Sequence, residues 1–520
     1  RNRKLMGNIF NTVEMTAPGK NKFNLTHDVK LSCKMGQLIP VMVQECIPGD
    51  SWKIGAEALI RFAPLVAPVM HRMDVSIHYF FVPNRITWDN WESFITDPYQ
   101  ADPPIAPFIT FADFDTTDAE KKHADYMGVP PVGAAYHNLS ALPFAAYNKI
   151  YNEYYRDQNL IAEIDDELND GQNTQTPYLI TRRRAWEHDY FTASLPFAQK
   201  GASVDIPLGD VKLKTFADLP SGWTSAGYPK WVDGSYASPD DSYIMTQPAA
   251  SLDRTVAQVF GGAPGPAVAY DPQGTLSVQA TTITDLRRAF KLQEWLEKNA
   301  RAGTRYTENI LAHFGVKSSD ARLQRPEYIT GVKSPIVISE IVNTTGEVDG
   351  LPQGNLAGHG IGVAAGRFGS YFCEEHGFII GIMSVMPKTA YQQGVPKHYL
   401  KSDPLDYYWP SFAHIGEQEV KNIEIYAPGT DDQGTFGYVP RYAEYKFTPN
   451  RVAGDFRTTL DFWHLGRIFS SAPALNQAFI ECDPSTRIFA VEDGTDYLWC
   501  HVLNKVTAVR AMPKFGNPYM

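Results

Sequence analysis

Apolar and polar positions alternate most clearly between Met73 and Trp91. There Val75, Ile77, Tyr79 and Phe81 interleave with Asp74, Ser76, His78 and Phe80, the two-residue period of a β-strand whose faces meet different surroundings. Pro83 cannot donate a ladder hydrogen bond and Asn84 suits a turn, so the strand ends there. Beyond it, Thr87 is placed to cap a short helix with Trp88, Trp91 and Ile95 on one face. Upstream, Val29, Leu31, Cys33 and Met35 alternate with Lys30, Ser32 and Lys34, and extended chain continues from Leu38 to Ile47 around Pro40. After a turn at Pro48-Gly49-Asp50, the residues Trp52, Ile54, Ala56, Ala58, Ile60 and Phe62 oppose Lys53, Glu57 and Arg61. Strand signals return at Ile336 to Val342, Phe378 to Met386 and Tyr497 to Met512. In the last, Cys500, Val502 and Val506 alternate with His501, Leu503, Lys505 and Thr507. With β-texture at both ends and long connections between, the expected fold is mainly β: an eight-stranded antiparallel jelly-roll sandwich with long loop and helical insertions.

Between the strands the period changes. Asp97 to Pro143 reads as a long ordered loop or an excursion. Phe144 to Asp157 has helical spacing, with Tyr147, Ile150, Tyr151 and Tyr154 on a packing face, and Asp165-Asp166-Glu167 reads as a solvated acidic run. Thr284 to Gly303 is the clearest helix, and Thr307 to Phe314 is a shorter one stopped by Gly315. From Ala202 to Thr282 there are eight Asp, no Glu, four Lys or Arg, eight Pro and eight Gly; a stretch of that size is an inserted subdomain rather than a plain loop. The expected organisation is therefore a basic extended arm at 1–27, a first part of the β-core at 28–201, a variable surface insertion at 202–282, and the remainder of the core at 283–520.

Charge and chemistry change this picture little. A formal net charge of −11 argues against a whole-surface nucleic-acid binder and leaves room for one basic face. The arm supplies one: Arg1, Arg3, Lys4, Lys20 and Lys22 face a single acid, Glu14, suited to weak, sequence-independent DNA contact. Arg182, Arg183 and Arg184 precede Trp186, a basic and aromatic run that can hold single-stranded nucleic acid or bridge acidic neighbours or subunits. Five scattered cysteines, none in a Cys-x-x-Cys pair, read as small buried groups in a reducing compartment. Glu374 and His376 lack further metal ligands nearby. The run Gly360-Ile-Gly-Val-Ala-Ala opens no helix and reads as a flexible glycine loop. No nucleophile elbow, zinc-protease pair or phosphate loop occurs, so no catalytic, metal or cofactor residue is assigned. No stretch has the length of a membrane span and no apolar leader follows Arg1, which points to cytoplasmic synthesis.

Several blocks together resemble one family, the major capsid proteins of the Microviridae, in particular the gokushovirus-like branch. They are Gln44 to Asp50, Phe80 to Trp91, His188 to Gly201, Asp320 to Tyr328 and Arg510 to Gly516, in family order from near one end of the chain to the other. The resemblance implies a non-enzymatic jelly-roll subunit of a small icosahedral (T=1) bacteriophage shell around circular single-stranded DNA. It further implies that the segment after Gly201 is a surface protrusion contacting the host, with Trp223, Tyr228, Trp231, Tyr236 and Tyr243 as its aromatic points. Partners implied are further copies of the chain, the packaged DNA, a small basic DNA-binding phage protein, scaffolding and pilot proteins, and a bacterial surface receptor, without membrane insertion. The rivals are a β-sandwich carbohydrate-active enzyme with a carboxylate pair and a monomeric receptor-binding module. Neither accounts for the chain-wide blocks.

Overall fold

The computed structural model describes residues 19–97, 101–111, 118–130, 136–174, 176–202, 204–205, 282–342, 356–428, 433–491 and 494–515. The chain separates into two compact units, residues 1–200 with 297–520, and Gly201–Leu296. Most of the second unit, including Trp223, Tyr228, Trp231, Tyr236 and Tyr243, lies outside the described residues, as do Arg1, Arg3 and Lys4.

The first unit is mainly antiparallel β. It opens with β1 (Asn21–Asn24), β2 (His27–Cys33), β3 (Ile39–Cys46), β4 (Ser51–Phe62) and β5 (Met73–Pro83). A small ladder of β6 (Phe108–Phe111) and β7 (Tyr136–Ser140) follows, then β8 (Glu327–Val342), β9 (Leu356–Ala365), β10 (Gly369–Phe372) and β11 (Gly377–Pro387). A second small ladder, β12 (Glu417–Lys421) with β13 (Thr435–Pro440), precedes β14 (Leu498–Arg510). The main sheet runs β1-β14-β4-β9-β8-β5-β11-β3, with β2 also on β14 and β10 also on β4. The last strand thus lies between the first strands, as the alternation at both ends suggested.

This sheet curls on itself. β8 pairs with β5 as far as Pro335 opposite Asp74, and from Ile336 onward it pairs with β9. A strand that changes partners along its length is how a β-framework turns a corner between two packed layers. Tyr79 on β5 donates its hydroxyl to Asn504 Oδ1 on β14 at 2.6 Å, and Asn504 Nδ2 donates to the Val41 carbonyl on β3 at 2.8 Å. Those strands are not ladder neighbours, so the bonds cross the core. Trp52, Ile54, Ile60 and Phe62 of β4 meet Val75, Ile77 and Phe81 of β5 and Val502 and Val506 of β14 in one buried cluster. β5 is buried on its other face too, where Phe80 and Val82 pack with Phe144, Tyr147 and Tyr151. These come from α3 (Leu142–Ile150), which continues into a wider π turn at Tyr151–Tyr155. Burial on both faces explains why Phe80 occupies a position that simple alternation would give to a polar residue.

Four local expectations are corrected. The glycine run at Gly360 is strand, not loop: in β9 the residues Gly358, Gly360, Gly362 and Ala364 point inward, and a Cβ on Gly360 would stand 2.7 Å from the Phe62 ring. Thr87 does not start the helix but closes a 3-10 turn at Asn84–Ile86, its hydroxyl donating to the Asn84 carbonyl at 2.9 Å, and α1 starts only at Trp91 and runs to Thr96. Trp88, ahead of α1, is buried with its indole N–H on Asp170 at 2.8 Å. In the acidic run, Asp166 is buried between Lys149 at 3.1 Å and Asn152 at 2.7 Å. Of the two readings of Asp97 to Pro143, the excursion agrees with the structure, since the stretch holds β6, β7 and α2 (Asp118–Tyr126). The later helices agree with the sequence: α4 spans Ile283–Ala302, and α5 spans Tyr306–Phe314, ending on Gly315 at φ 69°, where a left-handed backbone costs glycine nothing.

Candidate assembly and nucleic-acid surfaces

Of the five arm cations, Lys20 and Lys22 are described. β1 lies along β14 with Lys22 opposite Val509, and Lys22 points to solvent. Lys20 donates from Nζ to the Gly49 carbonyl at 3.1 Å and lies 5.7 Å from the Phe372 ring centroid. Both cations therefore leave the sheet at one corner, beside exposed Lys53 of β4.

The Arg182 to Trp186 run is spread over several internal partners. Arg182 donates to the Pro177 carbonyl at 2.8 Å, and burial holds its pKa below the usual guanidinium range. Arg183 pairs with Asp483 at 2.9 Å and donates to the Cys482 carbonyl at 3.0 Å. Arg184 donates from Nη1 to Ser76 Oγ at 2.7 Å and Ser384 Oγ at 3.0 Å, tying β5 to β11, and lies over Tyr155 at 5.8 Å. Trp186 is buried with Met386 and Cys482, under the Arg467 guanidinium at 5.3 Å. Next to it, Glu187 pairs with both Lys333 and Lys388, and the two lysines also reach Asp74 at 3.2 and 2.9 Å. The side chains that the sequence grouped as one basic and aromatic strip thus fasten one segment to the sheet. All five cysteines are buried free thiols, as their strand contexts suggested.

Two apolar surfaces were not picked out by the sequence pattern. On the outward face of the sheet, Val337, Ile361, Arg61 and Trp499 stand in register across β8, β9, β4 and β14, with Val337 63% and Trp499 49% exposed. The other is the loop from Ser402 to Ser411, where Leu405, Tyr407, Tyr408 and Trp409 are each at least half exposed. Short 3-10 turns at Pro404–Asp406 and Pro410–Phe412 shape it. Beneath it Lys401 is enclosed, pairing with Glu444 at 3.0 Å and lying 4.1 Å from the Tyr445 ring centroid. Burial alone would lower the Lys401 pKa; the Tyr445 hydroxyl and the Glu444 carboxylate outweigh it and hold the ammonium above its ordinary value. Three consecutive aromatics without period were the available signal, and periodicity does not register them.

The described residues thus combine a curled β-framework, fastened by its own buried polar groups, with exposed apolar and aromatic patches of the kind that meet other macromolecules. Comparison with known proteins agrees. Residues 12–520 match the family described as Capsid protein (F protein). The chain is 36% identical to Capsid protein VP1 of Bdellovibrio phage phiMH2K, over 96% of this chain and 95% of that protein. It is 34% identical to Capsid protein VP1 of Chlamydia phage 1, over 100% and 99% respectively, and 29% identical to Capsid protein VP1 of Spiroplasma virus 4, over 96% and 95%. The chain belongs to the F-protein capsid family, and the resemblance drawn from its sequence blocks holds from end to end. As a capsid protein it is a component of a phage virion.

Proposed function

We propose that this chain is the major shell subunit of a small icosahedral phage, self-associating around circular single-stranded DNA. The similarity to three phage capsid proteins over nearly their whole lengths carries this reading. Residues 28–201 and 283–520 form the shell framework, and closed symmetry multiplies modest pairwise contacts into a stable container. The arm at 1–27 lies inward, where Arg1, Arg3, Lys4, Lys20 and Lys22 offset phosphate charge, and a small basic phage protein supplies the rest. The insertion at 202–282 meets the host receptor through Trp223, Tyr228, Trp231, Tyr236 and Tyr243. Synthesis and assembly take place in the bacterial cytoplasm, with scaffolding and pilot proteins as partners. Negative-stain imaging of the purified chain, expressed with and without its scaffolding partner, tests the reading. Uniform small particles in either sample are the expected result, and monomers in both would overturn it.

A further inference from the structure

We propose that the aromatic loop Ser402 to Ser411, with Tyr445 and Phe447 beside it, is a contact through which one copy of this chain seats on a neighbouring copy; the inference rests on the shell reading above. The loop is held rigid from within. Asp403 Oδ1 accepts from the Leu405 amide at 2.7 Å, and Asp406 Oδ2 accepts from the amides of Ser402 and Asp403 at 3.0 and 2.9 Å. The Trp409 indole N–H donates to the Pro404 carbonyl at 2.9 Å, and Arg441 donates to the Leu405 carbonyl at 3.2 Å. Tyr442 is buried beneath, with its ring 5.0 Å from Tyr408 and its hydroxyl on the Tyr407 carbonyl at 3.3 Å. The loop's internal bonds therefore fix aromatic side chains outward, which lowers the ordering cost of binding.

The amount of surface fits a macromolecular partner. Leu405, Tyr407, Tyr408, Trp409, Tyr445 and Phe447 are between 43% and 56% exposed. An aromatic side chain can bury some 150–250 Å², so the five aromatics, about half exposed, offer with Leu405 roughly 500 Å² of apolar surface. One side of a standard interface covers about 800 Å², a little over half of it apolar, or about 450 Å². Tyrosine and tryptophan are also the residue types that dominate binding energy in such patches. The local charges cancel, with Lys401, Arg441 and Lys446 against Asp403, Asp406 and Glu444. A neutral patch gives DNA phosphates no field to follow, whereas a further copy needs only complementary shape.

The test uses the full chain co-expressed with its scaffolding partner. The double variant Tyr407→Ser, Trp409→Ser is expected to lower particle yield at least tenfold by negative stain and sedimentation, with the melting temperature of the free subunit nearly unchanged. Particles at the wild-type yield would overturn the proposal. In a second arm a photo-cross-linking amino acid replaces Tyr408, and mass spectrometry identifies its partner. A chain-to-chain cross-link is expected; a link to DNA or to a host protein, or none, would overturn the contact. If the wild type forms no particles, the shell reading fails by itself and the cross-link still decides the contact.

Discussion

His123 is sealed between α2 and α3, its ring 4.7 Å from Tyr147 and its Nδ1 3.3 Å from Thr181 Oγ1. Its Nε2 has no hydrogen-bond partner among the described residues. Burial, with Arg182 adding repulsion, pushes its pKa from 6.5 down to about 3, and burial brings His71 and His78 down to about 4. A histidine kept neutral in the folded state contributes its full stability above its unfolded pKa near 6.5 and loses it as the pH falls toward the folded value, because the unfolded chain takes up the proton first. The free subunit is therefore expected to weaken between pH 6.5 and about 4, with His123 accounting for about 3 kcal/mol. In denaturant titrations across that range, His123→Phe should flatten the pH slope by about one proton; an unchanged slope would show that the ring is solvated. Arg184→Ala should cost about 2 kcal/mol in a melting experiment, since it strips the donor from two buried serine hydroxyls that bridge β5 and β11. Because Arg184 is occupied inside the subunit, packaged DNA should be unchanged. Normal melting with lost DNA would favour the nucleic-acid reading of Arg182 to Trp186.

Strands whose bulk points inward were legible from sequence, and those whose bulk comes from a neighbour were not. In β4 and β14 the buried positions include Trp52, Ile54, Ile60 and Phe62 and Leu498, Val502 and Val506. They alternate with more exposed positions, many of which are charged or polar, such as Lys53, Glu57, Arg61, His501 and Lys505, so the two-residue period announces itself. β9 keeps the same period inverted. Its inward positions are Gly358, Gly360, Gly362 and Ala364, while Ile361 and Val363 face out, because Phe62 and Ile336 fill the space above the glycines. That complementarity belongs to the pairing and not to either strand alone. Gly360→Val should cost about 3 kcal/mol by overpacking, seen as loss of soluble subunit or a lower melting temperature, whereas Val363→Thr on the outward face should be nearly neutral. Trp88 went astray for a similar reason. Its indole N–H is satisfied by Asp170, eighty-odd positions along the chain, which no local spacing encodes.

At the scale of the molecule, the framework was readable because it is long and periodic. The contact surfaces were not, because an exposed aromatic loop and a basic strip fastened inward look alike in sequence. The arm carries its own prediction. Removing residues 1–18 takes away Arg1, Arg3 and Lys4, so DNA retention in the particle should fall and its dependence on log salt should become shallower by about 2; an unaltered slope would place the arm away from the DNA. The position of β14 sets a different condition, on the timing of synthesis. One edge of β4 pairs with β14, and β14 in turn holds β1 and β2, so the opening strands wait for partners made more than 450 residues later. Pairings so distant in sequence form slowly. Until Leu498–Arg510 leaves the ribosome, that edge of β4 stays open. A chain broken off before then has no finished wall, so the fold itself withholds incomplete copies from the shell.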